Sequence, residues 1–412
     1  MSFSPLNKSR YGWFSQVGLA FRREWSMIFD DVGVMLFFIA LPLIYPIVYT
    51  LIYNPEIVTE LPVAVVDNSR TEMSRRLVHE LDAAPAVDIY QYCADKEEAR
   101  RLFAEQKVVG ILEIPRDYEK TIVNGGQAQV EFYAEMSLLL RFRALLSAIS
   151  SLQVKMSTDI NMARLDAAGV SYPGESVLPI ENTNRFLGDQ GQGFASFIMP
   201  GIIILILQQS MVLGICFIGG TSRERRRRYG TDPLMLDDLC STATVLGKAL
   251  CYLIFYIPMT IYVVRFVPEF FGLPHQGDPL DYLLFLFPFL LASAMFGQMV
   301  QLICKERESA FLVVVFTSVI FLFLSGLTWP RFAMGSFWVW LGDLVPATWG
   351  VEGFIRINNN AATLADCRTA YIALWIMAFV FYWGACWVTS YIRAYHIRRV
   401  GPLSSDASTI PD

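Results

Sequence analysis

Hydrophobic residues in this chain are concentrated in blocks that are each about as long as a helix that crosses a bilayer. A hydrocarbon core of roughly 30 Å requires about 20 apolar residues in helical conformation. Six such blocks occur, at roughly Val32–Tyr53, Phe194–Gly219, Val245–Val267, Tyr282–Cys304, Ala310–Thr328 and Ala370–Ser390. This pattern predicts an α-helical polytopic membrane protein with six spans. Pro42 and Pro46 in the first block are expected to bend that helix.

An amphipathic segment precedes the first block. Between Tyr11 and Phe29, large apolar residues recur every three to four positions, and arginines lie between them. This spacing predicts a helix in the membrane interface, although the same segment could simply be the beginning of the first span. The residues that define the predicted interfacial helix are Trp13, Phe21, Arg22, Arg23 and Trp25.

Residues 54–192 have the alternating pattern of an α/β domain. Short apolar runs are separated by segments with helical spacing, so four strands and three intervening helices are predicted. Pro115 is expected at the first position of the third helix. A long helix from about Ser137 to Ala168 follows, and then a Pro- and Gly-rich connector at Tyr172–Arg185. The predicted strands are Leu61–Asp67, Ala86–Tyr92, Val108–Ile114 and Gln129–Ala134.

The stretch between the last two blocks, residues 329–365, is apolar but interrupted by proline and glycine. It contains four tryptophans, at 329, 338, 340 and 349. Short apolar segments rich in aromatic residues indicate re-entrant or interfacial helices and not a seventh span. Residues 401–412 are expected to form a flexible tail.

Composition and charge exclude several classes of function. Hydrophobic residues make up 54% of the chain and charged residues 17%, whereas soluble domains have roughly 45–50% and about 25%. The seven cysteines form no CxxC pair and there are only three histidines, so we predict neither a metal site nor a catalytic cluster. The chain also lacks the GxxxxGK[ST] motif of a phosphate-binding loop, so ATP hydrolysis cannot be assigned to it.

Basic residues predict the orientation. With six spans, the N-terminus, the loops 220–244 and 305–309 and the C-terminus share one side, and these segments carry most of the Lys and Arg residues of the short loops. The positive-inside rule therefore places both termini in the cytoplasm and residues 54–192 on the other side of the membrane.

Polar residues within the predicted spans have two interpretations. Gln208, Gln209, Gln298 and Gln301 could line a transport pathway, but hydrogen bonds between helices are the more ordinary explanation. Lys248 and Arg265 lie near opposite ends of the third span, and both are expected to extend toward the membrane surface.

The loop after the second span is the most informative motif. It reads TSRERRRRYGTDPLML from Thr221 to Leu236 and is followed by Leu246-Gly247-Lys248. The arginines alone could be a topology signal, but Thr231 can also cap a short helix that presents leucines to a partner. The segment resembles the coupling region of the ABC transporter type-2 permease family, the type V exporters. The residues that carry the resemblance or belong to the predicted coupling helix are Glu224, Arg225, Gly230, Thr231, Asp232, Leu234 and Leu236.

Other segments carry the same resemblance in the same order along the chain. Leu61–Asn68 is similar to the beginning of the family's extracytoplasmic domain, and Phe197–Gly201 to the beginning of its second span. Leu324–Pro330 and Leu344–Arg356 resemble its gate region. The corresponding gate residues are Ser325, Gly326, Pro330, Pro346 and Trp349.

The resemblance implies a permease subunit of an ATP-driven exporter in a bacterial inner membrane. Its implied partners are cytoplasmic ABC ATPase subunits, which would hold ATP and magnesium, a second permease copy or paralogue, and a periplasmic adaptor. The expected substrate is hydrophobic or amphipathic, such as a drug, lipid or glycan. Two alternatives stay open at this point: a mechanotransmitter and a non-ABC receptor. A membrane enzyme is disfavoured, because no catalytic cluster of His, Cys and carboxylates occurs in or near the predicted spans.

Overall fold

The computed structural model describes residues 12–53, 58–167, 169, 194–229, 239–304 and 306–400, without the side chains of 225–229 and 392–400. The chain divides into two compact units. One contains residues 1–54 and 186–412, and the other contains residues 55–185. The predicted connector at Tyr172–Arg185, the coupling residues 230–238 and the tail 401–412 lie outside the described residues.

The membrane unit begins with α1 (Trp13–Asp30). The first candidate span, Val32–Tyr53, consists of α2 (Val32–Met35), a π-helical turn (Leu36–Ala40) and α3 (Leu41–Tyr53). The π-helical turn ends two residues before Pro42, whose ring would clash with the carbonyl one turn earlier in a regular helix.

The second unit follows the order β1 (Leu61–Asp67), α4 (Glu72–Asp82), β2 (Val87–Tyr92), α5 (Lys96–Ala104), β3 (Gly110–Ile114), α6 (Tyr118–Val123), β4 (Glu131–Ala134) and α7 (Leu139–Ala167). The strands form one sheet in the order β2-β1-β3-β4, in which β1 is parallel to β2 and β3, and β4 is antiparallel to β3. The four predicted strands are confirmed. The prediction that Pro115 opens α6 was wrong, because the helix begins at Tyr118, after a turn.

Side chains of β1 alternate between the two faces of this sheet, as the pleat requires. Val63 and Val65 pack in the larger core, together with residues of α4, α6 and α7. Ala64 and Val66 pack in a smaller core with α5. Both faces of the sheet are therefore covered by helices, which explains why β1 reads as a continuous apolar run.

The membrane unit continues with α8 (Phe194–Tyr229), α9 (Ser241–Ile261), a π-helical turn (Tyr262–Phe266), α10 (Val267–Phe271), α11 (Pro279–Gln301) and α12 (Arg307–Leu324). A 3-10 turn (Arg331–Ala333), α13 (Ser336–Asp343), α14 (Pro346–Asn360) and α15 (Arg368–Val400) complete it. Candidate spans 2 to 6 are Phe194–Glu224, Ser241–Phe271, Pro279–Gln301, Arg307–Leu324 and Arg368–Tyr391.

The number of spans agrees with the prediction. Within the described residues, six helices are long and apolar enough to cross a membrane. Between spans 5 and 6, α13 has 8 residues and α14 has 15, and both are shorter than the ~20 residues that a span requires. Their placement as re-entrant helices stays a prediction.

Span 2 is the centre of the membrane unit. In its most apolar window 83% of residues are buried, against 22%, 17% and 28% for spans 1, 5 and 6. Glycine allows the neighbouring helices to approach span 2 closely. A Cβ atom on Gly214 would lie 1.8 Å from the ring of Phe38 in span 1. Spans 1, 5 and 6 accordingly present much of their apolar surface outward.

Candidate functional site

Helix α1 packs directly on the beginning of span 3. The two helices approach closely at Gly247, where a Cβ atom would lie 2.5 Å from the backbone oxygen of Val17 and 2.7 Å from Cβ of Ala20. Only a residue without a side chain fits such an approach of two backbones. Helix α1 therefore packs on the Leu246-Gly247-Lys248 motif that the sequence analysis identified.

A buried ion pair joins the same two helices. Lys248 Nζ lies 2.6 Å from Glu24 Oε1, and the hydroxyl of Tyr252 donates a hydrogen bond to Glu24 Oε2 at 2.9 Å. The side chain of Glu24 is fully buried and that of Lys248 is 16% exposed. Both carboxylate oxygens of Glu24 thus have partners on span 3, as a buried charge requires.

The environment of Glu24 keeps its carboxyl group ionised. Burial alone would raise the pKa of Glu24, but the charges of Lys248 and Arg23 and the hydrogen bonds from Lys248 and Tyr252 together outweigh burial and lower that pKa. The carboxylate is therefore charged at neutral pH, and α1 is held to span 3 by a charged pair.

One sequence-based expectation is corrected here, and one residue that sequence reasoning missed is identified. Lys248 was expected to extend to the membrane surface, but it turns inward because Glu24 offers a buried countercharge. Glu24 lies on the buried side of α1, with Ala20, Met27 and Ile28. Those residues are four positions before and three and four positions after Glu24, so they share its helix face. That spacing was the signal by which the sequence could have marked Glu24. Arg265, by contrast, is 55% exposed and pairs with Glu269.

A second ionic cluster joins α1, span 2 and span 5. Arg307 Nη2 lies 2.7 Å from Asp31 Oδ2, and the backbone N–H of Arg307 donates to Glu224 Oε1 at 2.9 Å. The hydroxyl of Thr221 also donates to Asp31 Oδ2, at 3.3 Å. Asp31 follows the last residue of α1, Glu224 ends span 2 and Arg307 begins span 5. The cluster therefore ties three helices together at one end of the bundle.

Among the predicted coupling residues, Glu224 is the one whose side chain the structure describes. It contacts the beginning of span 5 and not span 3, a partner that the sequence did not indicate. The side chain of Arg225 and the residues Gly230, Thr231, Asp232, Leu234 and Leu236 lie outside the described part of the chain. Their role in coupling stays a prediction.

The predicted interfacial residues are distributed around α1. Trp13 Nε1 donates to Thr242 Oγ1 at 3.1 Å, and Trp25 packs against Phe255 of span 3. Phe21 is partly buried and stacks on Trp25, Arg23 is partly buried, and Arg22 is exposed. Trp13 and Trp25 are each more than one-third exposed. The helix thus presents one face to span 3, while Trp13, Arg22 and Trp25 keep exposed surface on its other sides.

The predicted gate residues form a compact turn with two helices. Ser325 follows the last residue of span 5 and donates to Leu322 O at 2.7 Å, and Gly326 has the left-handed φ of 85° that glycine adopts readily. Pro330 precedes the 3-10 turn, Pro346 begins α14, and Trp349 Nε1 donates to Asp343 O at 3.1 Å.

A charged network that the sequence did not reveal lies in this predicted gate region. Arg331 is hydrogen-bonded to Asp343 and to Glu352, the latter at 3.1 Å, and its guanidinium lies 5.3 Å from the ring centre of Trp349. Arg356 also pairs with Glu352. Arg331 is 12 residues before Asp343 and 21 residues before Glu352. These separations are too long for contacts within one helix, so the tertiary fold brings the three residues together.

The four glutamines differ in their surroundings. Gln208 is buried and accepts a hydrogen bond from Ser293 of span 4 at 3.4 Å, and Gln298 donates to the Val245 carbonyl of span 3 at 3.3 Å. Gln301 lies against Gly219 of span 2. The side-chain atoms of Gln209 are buried without a hydrogen-bond partner among the described residues. For Gln208 and Gln298 the prediction of interhelical hydrogen bonds is confirmed, whereas a pathway-lining role stays a prediction.

These features define a multi-pass helical membrane protein whose helices are joined by ion pairs at one end. A family model described as ABC-2 family transporter protein matches residues 33–387. Because the match covers most of the chain, the chain belongs to this family, and the resemblance seen in the sequence is confirmed. Membership implies association with ABC ATPase subunits, and the membrane components of this family are typically non-catalytic. No curated protein matches the chain significantly.

Proposed function

We propose that this chain is the permease subunit of an ATP-driven ABC exporter. It moves a hydrophobic or amphipathic substrate, a drug, lipid or glycan, out of the cytoplasm or the inner leaflet of a bacterial inner membrane. The match to the ABC-2 transporter family over residues 33–387 carries this proposal. Separate ATPase subunits hold ATP and magnesium, and a second permease copy or paralogue completes the membrane pathway. The six candidate spans favour an exporter over a mechanotransmitter, for which four spans are typical.

The ionic clusters supply a physical route for coupling. An ATPase that moves the segment after Glu224 also moves Arg307 of span 5, because the backbone N–H of Arg307 is hydrogen-bonded to the Glu224 carboxylate. Asp31 extends the same connection to α1 and span 1. Packed helices switch between discrete arrangements. A push at this end is therefore expected to be passed to spans 1, 2 and 5 as one movement that opens the path to the outside.

Transport by the complex in proteoliposomes tests this coupling. Glu224→Lys places a cation beside Arg307, so ATP hydrolysis is expected to continue while substrate export falls. Glu308→Lys is the matched control, because Glu308 is exposed and adjacent to Arg307 in sequence and forms no ion pair with a described residue. If Glu224→Lys and Glu308→Lys export equally well, the coupling role of Glu224 is refuted.

The orientation has its own test. We place the end that carries α1 and Cys240 in the cytoplasm and the α/β unit in the periplasm. Cys240 is the one exposed cysteine among the described residues. A membrane-impermeant maleimide should label it in inside-out vesicles and not in intact spheroplasts. Tyr92→Cys, an exposed position of the α/β unit, should show the opposite pattern, and labelling of both from one side would contradict the orientation.

A further inference from the structure

The α/β unit contains a large cavity that the proposed transport function does not use. Its volume is about 700 Å³, and it lies on the sheet face covered by α4, α6 and α7. Its apolar lining includes Leu81, Leu112, Leu152 and Met156. These are core residues with at most 8% of their surface exposed. Ligand sites are typically cavities of roughly 300–1,000 Å³ with an apolar lining and a few polar groups.

Two polar groups stand at one side of this cavity, where α6 meets α7. Tyr118 lines the cavity and is 5% exposed, and its hydroxyl makes no hydrogen bond with a described residue. Burial raises the pKa of this phenol, so it is a hydrogen-bond donor at any physiological pH. Arg164 of α7 donates to the backbone oxygen of Ile122, one turn after Tyr118 on α6. Tyr118 and Arg164 therefore both line the cavity, on two helices that are joined by this hydrogen bond.

The sign of the available charge follows from the ion pairs nearby. Glu131 lines the cavity, but its carboxylate is engaged by Lys96 and by Tyr133. Among the described lining residues, Arg164 is the one cation, and it forms no ion pair. The hydroxyl of Tyr118 has no partner among the described residues, and the exposed guanidinium of Arg164 forms no ion pair, so both can bind an anionic group at the open side of the cavity.

We propose that this cavity binds an amphipathic anion, a single acyl chain with a carboxylate or phosphate head. The acyl chain of the ligand lies on the apolar residues of the cavity, and its anionic head is bound by Tyr118 and Arg164. Such a ligand satisfies the free phenol and the guanidinium while it removes apolar surface from water. This inference concerns the α/β unit alone and holds whether or not the complex is an exporter.

The experiment uses the full-length protein in nanodiscs of zwitterionic lipid. A long-chain fatty acid that carries a diazirine is photo-crosslinked, and the labelled peptides are mapped by mass spectrometry. Palmitate is the competitor, with hexadecanol and hexadecylamine as neutral and cationic comparisons. Competable labelling is expected in the α7 peptides that contain Met156 and Arg164. Lysophosphatidic acid, which has one acyl chain and a phosphate head, separates the two sources of anion, because stronger competition by it than by palmitate identifies a lysophospholipid and weaker competition identifies a free fatty acid.

Variants test the two parts of the site separately. Arg164→Gln should weaken palmitate binding about tenfold, since a charge-assisted hydrogen bond is lost. Arg116→Gln is the control, because Arg116 is exposed and does not line the cavity. Ser157→Trp, at an exposed lining position, should block labelling without repacking the core.

Three results would overturn the inference. The first is labelling in the α/β unit that palmitate does not compete. The second is equal competition by hexadecanol or hexadecylamine, which would remove the preference for an anion. The third is the absence of labelling in this unit, the result expected if another part of the chain fills the cavity.

Discussion

Breaking the Glu24–Lys248 pair should loosen α1 from span 3 far more than breaking an exposed pair. Glu24→Gln keeps the size of the side chain and can still accept the hydrogen bond from Tyr252, but it leaves the ammonium of Lys248 without a countercharge. Lys248→Met leaves the buried carboxylate with the nearby charge of Arg23 but without the cation at 2.6 Å. Arg265→Gln, which breaks the exposed pair with Glu269, is the matched control.

The structure sets the expected sizes. Removal of one partner of a buried ion pair costs about 3–5 kcal/mol, and the Glu24 side chain is fully buried with Lys248 Nζ at 2.6 Å. Exposed pairs contribute about 0–1 kcal/mol. The double variant Glu24→Gln, Lys248→Met removes both charges of the pair and so leaves neither of them unpaired. Its loss of stability should therefore be far smaller than the sum of the two single losses.

The cysteines of the chain provide the assay. Six of the seven are buried and free, and Cys251 lies within the contact between α1 and span 3. A thiol-reactive fluorophore therefore reports unfolding on heating, above a constant signal from the exposed Cys240. Both single variants should have unfolding temperatures well below that of the Arg265→Gln control. The double variant should unfold at a temperature closer to that of the control.

Two results would refute this reasoning. One is single variants that unfold at the same temperature as the Arg265→Gln control. The other is a double variant whose loss equals the sum of the single losses. Either result would mean that the pair is solvated and does not hold α1 to the bundle.

Three further predictions follow from the contacts of the membrane unit. Gly247→Ala should lower the stability of the protein by about 1–3 kcal/mol, because the new methyl group overpacks against α1. Gly18→Ala, whose Cβ atom would meet no atom within 4 Å, should instead stabilise α1 by about 0.5–1 kcal/mol. The thiol assay measures both effects, and equal effects would contradict the close approach of α1 and span 3 at Gly247. Arg331→Met should shift the unfolding temperature more than Arg356→Met, because Arg331 joins two carboxylates and Arg356 forms a helical i,i+4 pair. Because the pKa of Glu24 is lowered from about 4.5, its contribution is complete above that value and is lost as the pH falls through the folded-state pKa; stability in acid should fall less steeply in Glu24→Gln, and an unchanged slope would contradict the assignment.

The spans and strands could be predicted from the sequence because their signals are local. Apolar runs of about 20 residues mark the spans, and the β1 segment from Leu61 to Asp67 was predicted with the bounds that the structure shows. The predicted start of α6 at Pro115 was wrong because a proline also fits the turn that precedes a helix. Pro115 lies in that turn, and the helix begins at Tyr118.

The charged contacts could not be predicted because they join distant residues. Glu24 and Lys248 are 224 positions apart, and whether a lysine near a span end turns inward depends on a countercharge that another helix supplies. The pairing of Glu224 with Arg307 likewise requires spans 2 and 5 to be neighbours. The helical spacing of Glu24 relative to Ala20, Met27 and Ile28 could have indicated that Glu24 is buried. No local pattern indicates that its partner is Lys248.

The central claim is that the chain works as the permease of an ATPase complex, and co-purification tests it most directly. The protein is extracted from its native membrane in mild detergent, isolated by a tag, and its partners are quantified by mass spectrometry. An ABC ATPase subunit in stoichiometric amount, retained in the wild type and in the exposed-site control Glu308→Lys, is the predicted result. An intact permease preparation that contains no ATPase subunit would contradict the account.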